Sequence, residues 1–299
     1  MTDGSQSPST GDGGGLHANS SWRDAFVAFA VARTGLPTTR VRQVVETCAA
    51  EVEVGLRLLG GYLRPGIRLL DVGAGIGLLA FELRRRGYEI VALEPGANGF
   101  GDSARIGEAL RAFVPEHDVA VIDREASGLD PVSDGVFDLI FSVNVLEHIP
   151  DLEVNLAAML GVLAPGGQML HTCPNYHVPY EPHYAMPLVP GFPQAVTWLR
   201  PQLREDEVWR SLNFITTSRV RRFAGSTGLS VAFEPGLLHA TISRIDTDPS
   251  FSARHPGLVP VIYRVMQRLG LIGLLRHLPP ALATPMSFRL WRTSTGQNS

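Results

Sequence analysis

The sequence predicts an α/β fold in which a mostly parallel, seven-stranded sheet is doubly wound, with helices on both faces. Short apolar runs that end at glycine alternate with segments of helical period along most of the chain. Strands that alternate with helices require right-handed crossovers, which give a parallel sheet covered on both faces. Apolar residues make up 44% of the 299 residues, which is enough for a sizeable core.

The predicted elements begin with helices and then alternate. Helical period extends over 21–63, with a break at the Gly-Leu-Pro sequence of 35–37. After the proline and glycine at 65–66 the pattern becomes strand, glycine turn, helix and strand, which is typical of Rossmann-like folds. The predicted strands are 67–72, 88–93, 118–122, 136–143, 168–172, 229–234 and 285–292, and the helices between them are 76–86, 102–113, 152–163, 216–226 and 258–277.

Three segments flank or interrupt this alternation. Residues 1–20 are rich in glycine, serine and aspartate and are expected to be a disordered tail. Residues 21–63 are expected to form a partial lid over a ligand cleft, or to pack on the core without that role. Seven prolines between 174 and 201 disfavour both a helix and a central strand. Because a structured loop of this length is usually functional, 174–214 is predicted to be a lid-like insertion after the fifth strand, on the substrate side.

The segment 258–277 is predicted to be an amphipathic helix. Its apolar stripe includes Ile262, Val265 and Leu269, and arginines lie elsewhere around the helix. Such a helix suits peripheral contact with a membrane, or a lipid-like acceptor. The alternative is packing on the fold or on a second copy of the chain in a homodimer.

Composition excludes several classes of protein. A net charge of −3 excludes a nucleic-acid binder that works through a broad basic surface. All 26 basic residues are arginine, which excludes Schiff-base chemistry and the lysine of phosphate-binding loops. Cys48 and Cys173 are too few for a disulfide framework or a cysteine zinc site. With no signal-peptide pattern and no apolar run long enough to span a bilayer, the expected compartment is the cytoplasm.

A glycine-rich turn follows the first predicted strand. Gly73, Gly75 and Gly77 are spaced G-x-G-x-G, Asp71 precedes them, and Glu94 ends the next strand. A dinucleotide fingerprint requires its third glycine at position 78, where this chain has leucine. A carboxylate at the position of Glu94 suits ribose hydroxyls and repels a 2′-phosphate. The turn therefore indicates a nucleoside-containing cofactor, whereas a tight turn without a ligand would not require the two flanking acids.

Three motifs in this order resemble those of class I S-adenosylmethionine-dependent methyltransferases. The stretches are 69–80 around the glycines, 135–150 at the fourth strand, and 163–167 before the fifth. The resemblance covers about 67–174 and implies that 64–299 is the methyltransferase domain.

The resemblance also implies roles for individual residues. Asp71 and the backbone of Gly73, Gly75 and Gly77 would hold the methionine end of S-adenosylmethionine, and Glu94 the ribose. Asp123 matches the acid that contacts the adenine amino group. Asn144 would lie along the cofactor towards its methyl group. The glycine-rich stretch 95–101 departs from the family pattern, which leaves the adenine side open.

Methyl transfer from a sulfonium requires no metal ion, no covalent intermediate and no lysine. We expect a small-molecule acceptor that is methylated at an oxygen atom. We expect no metal site. A hydroxyl acceptor needs a base, and His148, His177 and His183 are the candidates. The alternatives are a turn-capping role for His148 and a rigid polar loop around His177 and His183. A metal set of His177, Glu181 and His183 is disfavoured, because no helical period brings the three together.

Two other functions are weighed against a methyltransferase. An NAD-dependent oxidoreductase or epimerase is disfavoured by Leu78 and by the absence of a Y-x-x-x-K pair. A non-catalytic partner protein that binds S-adenosylmethionine would keep Asp71, the glycines and Glu94, so it stays open.

Overall fold

The computed structural model describes residues 17, 19–96, 101–247 and 258–293. The strands are β1 (Arg68–Val72), β2 (Glu89–Leu93), β3 (Ala120–Ile122), β4 (Phe137–Val143), β5 (Leu163–Cys173), the short hairpin β6 (Tyr180–Glu181) and β7 (Met186–Pro187), then β8 (Leu229–Phe233) and β9 (Met286–Arg292). The main sheet has seven strands in the order β3-β2-β1-β4-β5-β9-β8, and only β9 runs opposite to the others. This confirms the predicted mostly parallel, seven-stranded sheet.

Successive residues of a strand point to opposite faces of the sheet. Both faces are apolar here, and helices cover both. Leu69 and Leu139 belong to the core cluster under the amino-terminal helices, whereas Leu70 and Ile140 belong to the cluster on the other face. The helices are α1 (Ser20–Thr34), α2 (Thr38–Leu59), α3 (Leu78–Arg85), α4 (Gly101–Phe113), α5 (Pro131–Asp134), α6 (Leu152–Gly161), α7 (Val196–Leu199), α8 (Glu207–Ser211), α9 (Thr217–Thr227), α10 (Leu237–Ile242), α11 (Arg244–Thr247) and α12 (Leu258–Arg268).

The amino-terminal segment is helical, as predicted. The Asn19 side chain accepts a hydrogen bond from the backbone N–H of Trp22, so the helix already begins at Ser20. Most of the predicted tail, 1–16 and residue 18, lies outside the described residues. One side of α2 is buried in the core, at positions that include Val41, Val45 and Val52.

The insertion 174–214 contains only short elements, the longest being the five-residue helix α8. This agrees with the effect of its prolines. The insertion is nevertheless ordered by its own apolar cluster, which consists of Met186, Leu188, Val196, Leu203, Trp209 and Leu212.

The prediction of one helix over 258–277 is wrong. Helix α12 ends at Arg268, Gly270 follows it, and Ile272–His277 forms a 3-10 turn. Apolar residues after Gly270 continue the helical spacing, so the sequence pattern did not show where the helix ends. Val265 on α12 and Leu269 just after it are exposed. Within the described ranges, no helix is both long enough and apolar enough to cross a membrane.

Candidate active site

A cleft of about 1500 Å³ opens at the carboxyl ends of β1, β4 and β5. This is the edge at which ligands bind in open α/β sheets. One side of α2, the insertion and the chain after β8 form its other walls. The volume exceeds the usual range of about 300–1,000 Å³ for a single small ligand, so a cofactor and a second molecule fit together.

The glycine turn forms the floor of the cleft. The backbone N–H of Gly73 donates to the carbonyl of Leu93 at 2.8 Å, in a conformation with φ of 70°. A Cβ at Gly73 would lie 2.4 Å from Cγ1 of Val145, so any other residue would force the Val145 side chain to shift. Gly75 also lines the cleft, whereas Gly77 caps α3 behind it.

Two acids flank the glycine turn, and of the two only Glu94 lines the cleft. Asp71 is 4% exposed, and its Oδ2 has no hydrogen-bond partner among the described residues. Burial, with the nearby charges of Glu94 and Glu51, raises the pKa of Asp71 to about 8. Burial also raises the pKa of Glu94 to about 7, although its Oε2 accepts a hydrogen bond of 2.8 Å from the N–H of Gly75. A positively charged ligand would favour the ionised form of both acids, which suits a sulfonium compound.

Asn144 and Asp123 occupy different surroundings. Asn144, directly after β4, lines the cleft, and its Nδ2 donates to Oε1 of Glu51 at 3.3 Å. Asp123, after β3, is exposed, and its Oδ1 accepts from the N–H of Gly96 at 2.7 Å. The neighbouring residues 97–100 lie outside the described ranges, so the adenine role of Asp123 stays a prediction.

Two of the three predicted histidines meet in the cleft. Nε2 of His148 lies 3.3 Å from Nε2 of His183. The Nδ1 atom of His148 bonds to Oγ of Ser211 at 2.7 Å, and Nδ1 of His183 bonds to Oε1 of Glu181 at 2.6 Å. Oε1 of Glu147 lies 4.0 Å from Nε2 of His148. We call Glu147, His148 and His183 the histidine cluster; they can offer ligand atoms that all lie within 4.8 Å of one another.

The charges of the histidine cluster are unequal. Burial and the charge of His183 lower the pKa of His148 to about 3. Burial also lowers the pKa of His183, but its hydrogen bond to Glu181 and the charges of Glu181 and Glu147 outweigh this, and the pKa lies above its usual value. Burial raises the pKa of Glu147 to about 8.

His177 lies outside the cleft. It is exposed, and its Nδ1 bonds to Oγ1 of Thr217 at 3.0 Å. The Asn175 side chain causes this placement, because it accepts from the N–H of His177 and donates to the carbonyl of Ala283. His177 therefore lies apart from His183, so His177, Glu181 and His183 do not form one set of metal ligands.

Three further residues line the cleft that the sequence did not indicate as site residues, namely Glu51, Glu147 and Ser211. Glu51 lies on the polar side of α2, which has the pattern of a solvent-facing surface. Glu147 directly precedes His148 at the end of β4, and this adjacency was the available signal. Nothing near Ser211 in the sequence indicates that it meets a residue 63 positions away.

The fold and site define an α/β protein that binds a nucleoside cofactor at the switch point of a doubly wound sheet. A family model described as a methyltransferase domain matches residues 43–231. The chain therefore belongs to this methyltransferase family, whose cofactor is S-adenosylmethionine. An uncharacterized protein of Mycobacterium tuberculosis is 33% identical over 239 residues, which cover 76% of this chain and 80% of that protein.

More distant similarities extend over less of the relatives. The mitochondrial ubiquinone biosynthesis O-methyltransferase of Bos taurus is 28% identical to this chain over the matched segment. That segment covers 60% of this chain and 45% of that protein. Coclaurine N-methyltransferase, solved with N-methylheliamine and S-adenosylhomocysteine, has a TM-score of 0.48 and 14% identity over 83% of this chain and 71% of its own.

Proposed function

We propose that this chain transfers the methyl group of S-adenosylmethionine to an oxygen atom of a small-molecule acceptor. The observation that carries the proposal is the position of the histidine cluster, which lines the same cleft as the glycine turn and Asn144. The name of the bovine relative supports oxygen as the accepting atom. A glycan, a polyketide-like or a quinone-like metabolite would suit this site.

The floor of the cleft would hold the cofactor. Asp71 and the backbone of Gly73 and Gly75 would hold its methionine end, and Glu94 its ribose hydroxyls. The fit is supported by the orphaned Oδ2 of Asp71 and by a turn that a Cβ at Gly73 would obstruct. When bound, S-adenosylmethionine supplies an electrophilic methyl group on a positively charged sulfur.

The histidine cluster would be the place in the cleft where the acceptor's hydroxyl loses its proton. Loss of that proton leaves an oxygen nucleophile, which Asn144 and the insertion would hold in line with the methyl group. Alignment of this kind contributes up to about 7–11 kcal/mol in well-ordered systems. The chain's own part is therefore to orient the acceptor, remove its proton and exclude water.

Replacement of the histidines tests this proposal. We expect His148→Ala to lower methyl transfer by about 10²–10⁴-fold and to leave the affinity for S-adenosylhomocysteine unchanged. His177→Ala is the matched control and should keep full activity, because His177 lies outside the cleft. The measurement is transfer of labelled methyl to metabolites of an extract, followed by mass spectrometry. Equal activity of His148→Ala and the unaltered chain would contradict the proposal, and cofactor binding without any transfer would favour the non-catalytic alternative.

A further inference from the structure

Two imidazole rings face each other at the histidine cluster. Nε2 of His148 and Nε2 of His183 are 3.3 Å apart, and both belong to the wall of the cleft. Each ring is fixed through its other nitrogen. Both Nε2 lone pairs are therefore directed at one region.

We propose that Glu147, His148 and His183 bind a divalent transition-metal ion that in turn binds the acceptor's oxygen atom. This inference rests on the proposed function and assigns the means by which the acceptor loses its proton. It also replaces the expectation, drawn from the sequence, that the site has no metal.

The partners of the two rings support ligation through Nε2. The hydroxyl of Ser211 donates to the carbonyl of Val208 at 2.8 Å, so its oxygen is left to accept from Nδ1–H of His148. Glu181 is fully buried and accepts from Nδ1–H of His183. A hydrogen bond from the second nitrogen to a carboxylate or hydroxyl is the usual support of a metal-binding histidine, since it fixes both tautomer and orientation.

The third ligand is a buried carboxylate group whose oxygens accept no hydrogen bond from the described residues. Glu147 is 0% exposed, and neither of its side-chain oxygens has a hydrogen-bond partner among the described residues. A buried carboxyl group without partners is costly, and a cation would satisfy it. The ligand atoms available from Glu147, His148 and His183 lie within 4.8 Å of one another, which is close enough to share one ion.

The ligand types indicate which ions would bind. Two imidazoles and one carboxylate suit Zn²⁺, Co²⁺, Mn²⁺ or Fe²⁺ better than Mg²⁺ or Ca²⁺, which prefer oxygen ligands alone. Three protein ligands leave at least one position open, as in catalytic metal sites. The open position would face the cleft.

The metal would act on the acceptor as a Lewis acid. A hydroxyl bound to a divalent ion has a lower pKa, so its O–H bond breaks and the proton leaves to solvent. The oxygen's electron pair then forms the bond to the methyl carbon, while the carbon–sulfur bond breaks and its pair stays on sulfur. No group is oxidised or reduced, and the histidines serve as ligands.

Direct metal binding tests the inference without measuring turnover. The full chain is treated with a chelator, dialysed and titrated with Co²⁺ while its visible absorption is recorded, and Zn²⁺ is then added as a competitor. We expect one Co²⁺ per chain, displaced by Zn²⁺, and a loss of binding of at least about tenfold in His183→Ala and in Glu147→Gln. Ser211→Ala should weaken binding by about 10–100-fold, and His177→Ala should bind as the unaltered chain does.

The outcomes distinguish this inference from the proposed function. Thermal unfolding checks that each variant is folded, and Ser211→Ala serves if the substitution of buried Glu147 prevents folding. Absence of stoichiometric Co²⁺ binding, or equal binding by His183→Ala, would overturn the metal site. Calorimetry with S-adenosylhomocysteine on the metal-free chain should still detect binding at the glycine turn. Failure of that binding would instead overturn the proposed function.

Discussion

At the scale of residues, the cleft concentrates acidic groups that are costly to bury. The pKa values of Asp71 and Glu94, about 8 and about 7, lie above the ordinary values of 3.8 and 4.5. Between about pH 4 and pH 8 these two groups therefore bind more protons in the folded chain than in the unfolded chain, and their contribution to the free energy of unfolding falls as pH rises. A cationic ligand counters this loss because it stabilises the ionised carboxylates.

The glycine turn provides a matched pair of substitutions. Ala at Gly73 must adopt a φ of 70° and place its Cβ against Val145, whereas Ala at Gly77 has a similar φ of 82° and open space around it. Both should lose about 1–3 kcal/mol of stability from the backbone conformation, and only Gly73→Ala should also lose cofactor affinity. Denaturant unfolding and calorimetry measure the two effects. The account is contradicted if Gly73→Ala binds S-adenosylhomocysteine as well as Gly77→Ala does.

The contact with Val145 offers an internal check. Val145→Ala removes both methyl groups that the new Cβ would meet. The double variant of Gly73 and Val145 should therefore regain part of the affinity that Gly73→Ala loses, and an unchanged loss would assign the effect to the backbone alone.

The sequence predicted the residues whose positions are local. Asp71, Gly73, Gly75 and Glu94 are close in sequence or lie at the ends of adjacent strands, so a strand-and-turn pattern is enough to bring them together. The partners of His148 come instead from the insertion, through Ser211 and His183. No periodicity relates those positions, so the histidine cluster became visible only in the structure.

At the scale of elements, strands were predicted more reliably than the ends of helices. All seven predicted strands are present. Strands such as β1, β2 and β4 were recognisable because buried parallel strands are short apolar runs ended by glycine or a polar residue. The exception at 258–277 arose because apolar residues on both sides of Gly270 share one spacing. The sequence also left open whether α2 forms a lid or a packing element, and the structure shows that one side is core and the other lines the cleft.

Peripheral membrane contact through 258–277 stays a prediction. Ile262 and Val265 on α12 and Leu269 just after it are exposed, and Arg264 and Arg268 belong to the same helix. If this stripe meets a bilayer, the chain should float with anionic liposomes in a density gradient, since burial of apolar side chains and attraction of arginine to anionic lipid act together.

A matched substitution tests the same surface. Val265→Asp should abolish flotation, whereas Val132→Asp should not, because exposed Val132 lies on α5, away from this helix. A chain that stays at the bottom of the gradient would refute membrane contact. A dimer that Val265→Asp dissociates would favour the homodimer alternative.

At the scale of the whole molecule, two chemically different regions share one cleft. The floor, at the ends of β1 and β2, presents glycine backbone and Glu94, and the buried Asp71 precedes the same turn. The far wall, after β4 and in the insertion, presents the histidine cluster. Because family members share the sheet and its first turn, the glycine turn was recognisable from the sequence, whereas the far wall depends on packing within 174–214.

Calorimetric titration with S-adenosylmethionine and NAD, at about pH 6 and about pH 7.5, tests the central claim most directly. We expect one S-adenosylmethionine per chain, tighter binding at the higher pH because Asp71 and Glu94 are more ionised there, and no heat with NAD. Saturable binding of NAD, or no binding of S-adenosylmethionine at either pH, would contradict the account.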